Sequence, residues 1–174
     1  MSQDGKGVLI SGIGGQGIVF AGRLLARAWF GQGKHVALRY AFGAEVMGTA
    51  VHSEVVVSPR PILFPYLEKA DVAVVLHASA AAEVVARLVP NALLVADEAV
   101  GAVQVPDGVR VEVRPFIAAT TKGRPGDPGR ASPIAALGFL AKLGVVDWAA
   151  LLTAAHGEPA AKENEGFLHT GHGM

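Results

Sequence analysis

Cysteine is absent from all 174 residues. That excludes disulfides, thiolate nucleophiles, thiolate zinc sites and any iron–sulfur cluster held by cysteines of this chain. Charge is scarce as well. Asp, Glu, Lys and Arg make up 17% of the residues, against roughly 25% in an ordinary soluble domain. Fifteen basic and fifteen acidic residues cancel to a formal charge of zero, which removes any general attraction to nucleic acid or to an anionic membrane. No stretch approaches the ~18 uninterrupted apolar residues of a membrane span; the greasiest, Val72 to Ala86, is broken by His77, Ser79 and Glu83. The opening residues, Met1 to Gly7, lack the basic stretch and long apolar run of an export signal, so a cytoplasmic setting is expected.

What is abundant is apolar surface. Hydrophobic residues reach 51% and the mean hydropathy is +0.40. The length suits one α/β domain. A chain of this size has much surface for its volume, so the apolar excess points to a heavily buried sheet or to a face covered by other subunits. The second is favoured, because polar residues are sparse even in segments that read as helices.

The chain opens as strand, glycine turn, helix, strand. Val8-Leu-Ile10 is too short an apolar run for a helix and meets Gly12, Gly14, Gly15 and Gly17. From Ile18 the apolar residues fall at helical spacing through Ala21, Leu25 and Ala28, until Gly31 and Gly33. His35 to Leu38 begins a second strand, completing a βαβ unit. Ala41 to Thr49 reads as a loop and Val51 to Val57 as a third strand. With no helical crossover between the second and third strands, part of the sheet is expected to be antiparallel. Asp71 to Leu76 has the near-continuous apolar run of a central parallel strand, Ala78 to Leu88 its helix, Ala92 to Ala96 the next strand, and Val109 to Phe116 an alternating edge strand. Residues 122–130, rich in Gly and Pro, read as a surface loop or a lid that orders on assembly. Helices over Ile134 to Leu143 and Trp148 to His156 and a polar tail over 158–174 close the chain. The expected fold is α/β, a Rossmann-like three-layer αβα domain over residues 1–174, with a mostly parallel sheet and room for an antiparallel part.

Gly12-x-Gly14-x-x-Gly17, after a strand and before a helix, matches the dinucleotide-binding fingerprint. Its glycines let the backbone approach closely, and the helix N-terminus offers N–H groups to an anion; the same glycines also serve a tight turn. A nicotinamide site further needs an acid at the end of the second strand. Arg39 and Tyr40 stand there, with no Asp or Glu before Glu45. Arg39 could face a 2′-phosphate or simply be solvated. Elsewhere, His77 follows a strand where open α/β sheets bind ligands, Asp97-Glu98 forms an acid pair without a nucleophile, and Arg124 and Arg130 offer loop cations. His169 and His172 lack a third ligand.

The fuller string Gly12-Ile-Gly-Gly-Gln-Gly17, followed by Ile-Val-Phe-Ala-Gly-Arg-Leu-Leu-Ala26, resembles the opening of the gamma-type subunit or domain of 2-oxoacid:ferredoxin (flavodoxin) oxidoreductases. Phe42-Gly-Ala-Glu-Val-Met-Gly-Thr49 is similar to that family's second loop, with Met47 and Thr49 where its pattern has arginine and a second glycine. Ser53 to Ile62, Lys69 to Val75, and Lys162 to Phe167 with Gly171 continue the likeness.

The resemblance implies one piece of a heteromeric enzyme that converts a 2-oxoacid to an acyl-coenzyme A. Thiamine diphosphate and Mg²⁺ would sit in the other catalytic subunits and the iron–sulfur clusters in cysteine-bearing chains, with ferredoxin or flavodoxin taking the electrons. This chain would bind none of these cofactors alone and contribute no catalytic side chain. Carried over from the family are Gly12, Gly14, Gly15, Gln16 and Gly17, as a loop for a coenzyme A phosphate or a neighbouring chain, and Gly43, Glu45 and Gly48 as the second loop. Glu45 could orient thiamine diphosphate or a partner arginine, or be a solvated loop acid. Two other readings make different predictions. A stand-alone nucleotide-dependent dehydrogenase would bind NAD or NADP unaided, and a scaffold domain would act without partners.

Overall fold

The computed structural model describes residues 5–43 and 49–174. In chain order the elements are β1 (Lys6–Ile13), α1 (Ile18–Gly31), β2 (His35–Phe42), β3 (Ala50–Ser58), β4 (Ala70–Val75), α2 (Ala78–Ala86), β5 (Leu88–Asp97), β6 (Arg110–Arg114), α3 (Phe116–Thr121), α4 (Ser132–Lys142), α5 (Trp148–His156) and α6 (Ala161–His172). The six strands lie in the order β2-β3-β1-β4-β5-β6. β3 runs antiparallel to both β1 and β2, while β1, β4, β5 and β6 pair in parallel. The fold is the expected Rossmann-like three-layer α/β arrangement, mostly parallel with one reversed strand.

The seven-residue β2–β3 connection explains the reversal, since a parallel neighbour needs a crossover of about a dozen residues or more. It also alters the opening unit. β3 inserts between β2 and β1, so the two strands of the βαβ unit share a direction but do not touch.

Alternation along the strands divides the core. Val8, Ile10, Val55, Val57, Val72 and Val74 face the layer of α1, α4, α5 and α6. Leu9, Val56, Ala73, Val75, Leu94 and Ala96 face the layer of α2. Strands buried on both faces read as continuous apolar runs, and β1 and β4 do so for this reason. In the thicker layer, α4 is buried from Ser132 to Ala141 and packs against α1, α3, α5 and α6. A helix apolar on every side belongs in the centre of its layer.

Several boundaries differ from the sequence expectation. Gly12 does not end β1; it pairs with Val51, and the strand continues to Ile13. α2 stops at Ala86, and β5 runs through Pro90-Asn91, where Asn91 adopts a left-handed φ of 63° and the register against β4 shifts. Phe116, expected to end an edge strand, instead opens α3.

The largest difference is at the C-terminus, where the polar stretch forms the ordered helix α6. It docks on α4 through glycines: a Cβ on Gly171 would overlap the Ala135 carbonyl, and one on Gly138 the Leu168 carbonyl. Backbone contact of this kind leaves no apolar stripe in the sequence, so periodicity could not reveal it.

Candidate functional site

The C-terminal ends of β1, β4 and β5 lie along one edge of the sheet, beside the closed end of the β2–β3 hairpin, where open α/β sheets place their ligands. The glycine loop leaves this edge after Ile13 and enters α1 at Gly17. Gly17 has a φ of 81°, and a Cβ there would overlap the Arg130 carbonyl, so the turn admits only glycine. Gly14 is the opposite case. It is exposed, its φ is not positive, and nothing lies within 4 Å of where its Cβ would sit. The isolated fold has no need of glycine there.

Gln16 holds the loop from inside. Its side chain is buried; Oε1 accepts from the Ile13 N–H at 2.9 Å, and Nε2 donates to the carbonyls of Leu76 at 3.3 Å and Pro128 at 3.1 Å. The amide is therefore engaged by three backbone segments: the end of β1, the end of β4 and the Gly/Pro-rich loop. That loop is itself folded back by Asp127, which accepts from the N–H groups of Gly129 and Arg130. The Arg130 and Gly129 N–H groups hold this carboxyl below its ordinary range. The end of the loop nearest Gly15 and Gly17 is thus fixed within the chain.

Gly43 donates its N–H to the Ala50 carbonyl at 3.1 Å and closes the hairpin beside the glycine loop. Glu45 and Gly48 lie outside the described residues. Between the glycine loop and the strand ends of the hairpin is a cleft of about 360 Å³ lined by Gly14, Gly15, Ile18, Phe20, Phe42 and Arg23, among others. Its walls are mainly apolar. Arg23, the one lining cation among the described residues, bonds Glu158 at 3.1 Å and lies 5.3 Å from the Phe20 ring centre. Glu158 also accepts from Arg27. Tyr40 is nearby, its hydroxyl pushed above the ordinary value by burial, with Arg23 pulling the other way.

One row below the loop, three side chains form a line that sequence reading did not single out. Ser11 Oγ lies 2.7 Å from His52 Nδ1, and His52 Nε2 lies 3.1 Å from Glu83 of α2. Ser11 and His52 are buried while Glu83 is half exposed. A carboxylate can only accept, so Nε2 carries the hydrogen in the neutral ring and Nδ1 accepts from the Ser11 hydroxyl. With no accessible surface, Ser11 is unable to act as a nucleophile, and the line instead ties α2 to the end of β1. Replacing His52 by leucine is expected to cost about 2 kcal/mol, because the Ser11 hydroxyl loses its acceptor inside the protein. Adding Ser11→Ala should restore about half of that loss in a urea-denaturation double-mutant cycle; strict additivity would disprove the link.

Arg39, His77, Asp97, His169 and His172 have structural partners. Arg39 bonds Glu54 at 3.3 Å and lies 4.4 Å from the Tyr66 ring centre, so it is not directed at a nucleotide phosphate. His77 caps α2, its Nδ1 accepting from the Ser79 N–H. Asp97 accepts from the N–H groups of Ala99 and Ile117 and so joins the end of β5 to α3. His169 and His172 pack against Trp148 at ring separations of 5.0 and 4.3 Å. Among the described residues, no group of three or more His, Asp or Glu is placed to hold a metal ion.

Residues 7–165 match the family of pyruvate ferredoxin/flavodoxin oxidoreductases. The chain belongs to this family. Within it, the chain is 41% identical over 73 residues to the 2-oxoglutarate synthase subunit KorC of Archaeoglobus fulgidus, covering 42% of this chain and 39% of that one. It is 30% identical over 120 residues to the KorC subunit of Methanothermobacter thermautotrophicus, covering 67% and 64%. The matched part therefore spans less than two thirds of these relatives.

Among solved structures, the gamma subunit of a keto/oxoacid ferredoxin oxidoreductase from Geobacter sulfurreducens superposes with a TM-score of 0.79 at 26% identity, over 95% of both chains. A 2-oxoglutarate:ferredoxin oxidoreductase from Magnetococcus marinus shares the fold with a TM-score of 0.82 at 22% identity, over 99% of this chain and 31% of its own. In this member of the pyruvate ferredoxin/flavodoxin oxidoreductase family, the glycine loop and the described end of the β2–β3 hairpin at Phe42 and Gly43 lie at one edge of the sheet. Arg23 joins them by being one turn into α1.

Proposed function

We propose that the chain is the gamma subunit of a heteromeric 2-oxoacid:ferredoxin oxidoreductase and that the cleft between its glycine loop and hairpin seats a partner subunit. The observation that carries the seating is Gly14, a glycine the isolated fold does not require, on the rim of an apolar cleft. Close approach from outside the chain supplies a reason for its lack of a side chain. Coenzyme A phosphate is the less favoured occupant, because Arg23, the one lining cation among the described residues, is already bonded to Glu158. A stand-alone dehydrogenase is less favoured still, since Arg39 is held by Glu54 and no acid occupies the ribose position.

In the complex, oxidative decarboxylation of the 2-oxoacid to acyl-coenzyme A draws on thiamine diphosphate, Mg²⁺ and iron–sulfur clusters held by cytoplasmic partner chains. A chain without cysteine supplies no thiolates for such clusters. Its own contribution is an apolar, shape-matched surface.

Gly14→Leu tests this reading when the chain is coexpressed with its thiamine-binding and iron–sulfur partners. The substituted chain alone should melt within a degree of the unsubstituted one, while recovery of the complex falls at least tenfold, equivalent to about 1.4 kcal/mol of association energy. Undiminished recovery and activity would refute the seating.

A further inference from the structure

A second pocket, of about 230 Å³, lies where the Gly/Pro-rich loop meets α4 and α6. It shares no lining residue with the glycine-loop cleft. Its size, below the roughly 300 Å³ at which drug-sized and cofactor pockets begin, suits a small molecule.

Asn164 points to a ligand. A side-chain amide offers two donors and an acceptor, and here only the donor end is engaged. Nδ2 donates to the Pro159 carbonyl at 2.9 Å, while Oδ1 has no partner in the chain. Among the described residues no fully buried side-chain oxygen or nitrogen is left unpaired, so Oδ1 must reach solvent. Asn164 is only 7% exposed, and its opening is the pocket it lines. An acceptor fixed in this way is a preformed place for an N–H group.

The charges around it narrow the class of ligand. Arg124 and Arg130 stand exposed at the rim, and neither guanidinium has an ion-pair or hydrogen-bond partner among the described residues. Asp127 also lines the pocket. Its carboxyl, lowered first by the N–H groups of Arg130 and Gly129, feels both guanidiniums through space but bonds neither. Glu163, beside Asn164, is an acid without a partner among the described residues. Two cations and two acids leave the lining without net charge, which disfavours a phosphate or a dicarboxylate. Ile134 and Phe167 add apolar surface.

We propose that this pocket binds a free α-amino acid with an apolar side chain, its carboxylate on Arg124 and Arg130 and its ammonium on Asn164 Oδ1 and Glu163. A zwitterion presents an anion to the guanidiniums and N–H donors to the amide oxygen while carrying no net charge. Its side chain would pack on Ile134 and Phe167. The bound molecule would bridge the Gly/Pro-rich loop and α6, and because Pro128 of that loop accepts from Gln16, occupancy would also steady the glycine loop. The site lies wholly within this chain, so it stands apart from the subunit reading.

Calorimetric titration of the full chain with L-leucine, 4-methylpentanoate and 3-methylbutylamine tests it, the last two being leucine without its amino group and without its carboxyl group. The expected result is a leucine dissociation constant of about 1 mM or tighter, with each truncated probe weaker by about tenfold or more. Saturating leucine should also slow tryptic cleavage after Lys122 and Arg130. Arg124→Gln and Glu163→Gln should each weaken leucine by about fivefold or more, with melting temperatures within about a degree of the unsubstituted chain, because neither side chain has a partner to lose. No binding at leucine concentrations about twentyfold above the expected constant, binding of 4-methylpentanoate or inorganic phosphate as tight as that of leucine, or undiminished binding to either variant would overturn the proposal.

Discussion

Gly171→Val should lower the stability of the chain by about 3 kcal/mol, at the upper end for overpacking a close contact. For a chain of this length that corresponds to a melting temperature about 6 to 12 °C lower. The cause is local. Any Cβ at residue 171 collides with the Ala135 carbonyl, a backbone atom of the buried helix α4 that has no room to retreat. α6 must therefore move off α4, exposing Leu168 and removing the cover from Phe139 and Ala135, and limited proteolysis should cut earliest within residues 161–174.

Gly166 provides the internal control. It lies in the same helix, exposed, with nothing within 4 Å of its Cβ position, so Gly166→Ala should stabilise by roughly 0.5 to 1 kcal/mol. If both substitutions have the same sign, docking through the Gly138–Gly171 crossing is wrong.

Gln16→Leu is expected to destabilise by a similar amount, about 3 kcal/mol, by a different route. Leucine fills much of the same volume, so the loss comes from polar groups. The Ile13 N–H and the carbonyls of Leu76 and Pro128 all lose a partner, and each buried group left unpaired costs about 1 to 3 kcal/mol before water or relaxation compensates. Because Pro128 belongs to the Gly/Pro-rich loop, trypsin should cleave after Lys122 or Arg130 several-fold faster than in the unsubstituted chain. A stable Gln16→Leu chain that has nonetheless lost a bound ligand would instead make Gln16 a binding residue, contrary to the engaged amide seen here. The contrast with Gly14→Leu separates two roles within one loop: Gln16 holds the chain together, and Gly14 faces outward.

Legibility followed whether a feature was local in the chain. The turn at Gly12 to Gly17, the α1 periodicity, the buried run of β4 and the alternation of β6 can each be read from a few consecutive residues, because backbone conformation and burial face act at that range. The hairpin was legible too, since the lack of a crossover after β2 implied an antiparallel partner. Its insertion between β2 and β1 was not, for strand order depends on which edges compete for pairing. α6 was read as a polar tail because its fit depends on Gly138 and Gly171 meeting a backbone 30 or more residues away. The same holds for the Ser11, His52 and Glu83 line, whose members come from β1, β3 and α2.

The amino-acid order by itself determined the class of fold, the cysteine-free chemistry, the surplus of apolar surface and the two glycine-bearing loops. Those are properties of composition and of short windows, where propensity and periodicity act directly. The tertiary structure alone decided which glycine is structural and which faces outward, and that Gln16 and Arg39 are occupied within the chain. Each of these depends on contacts between residues distant in sequence, and the spacing of residues along a chain does not specify which atoms will fill the space around them.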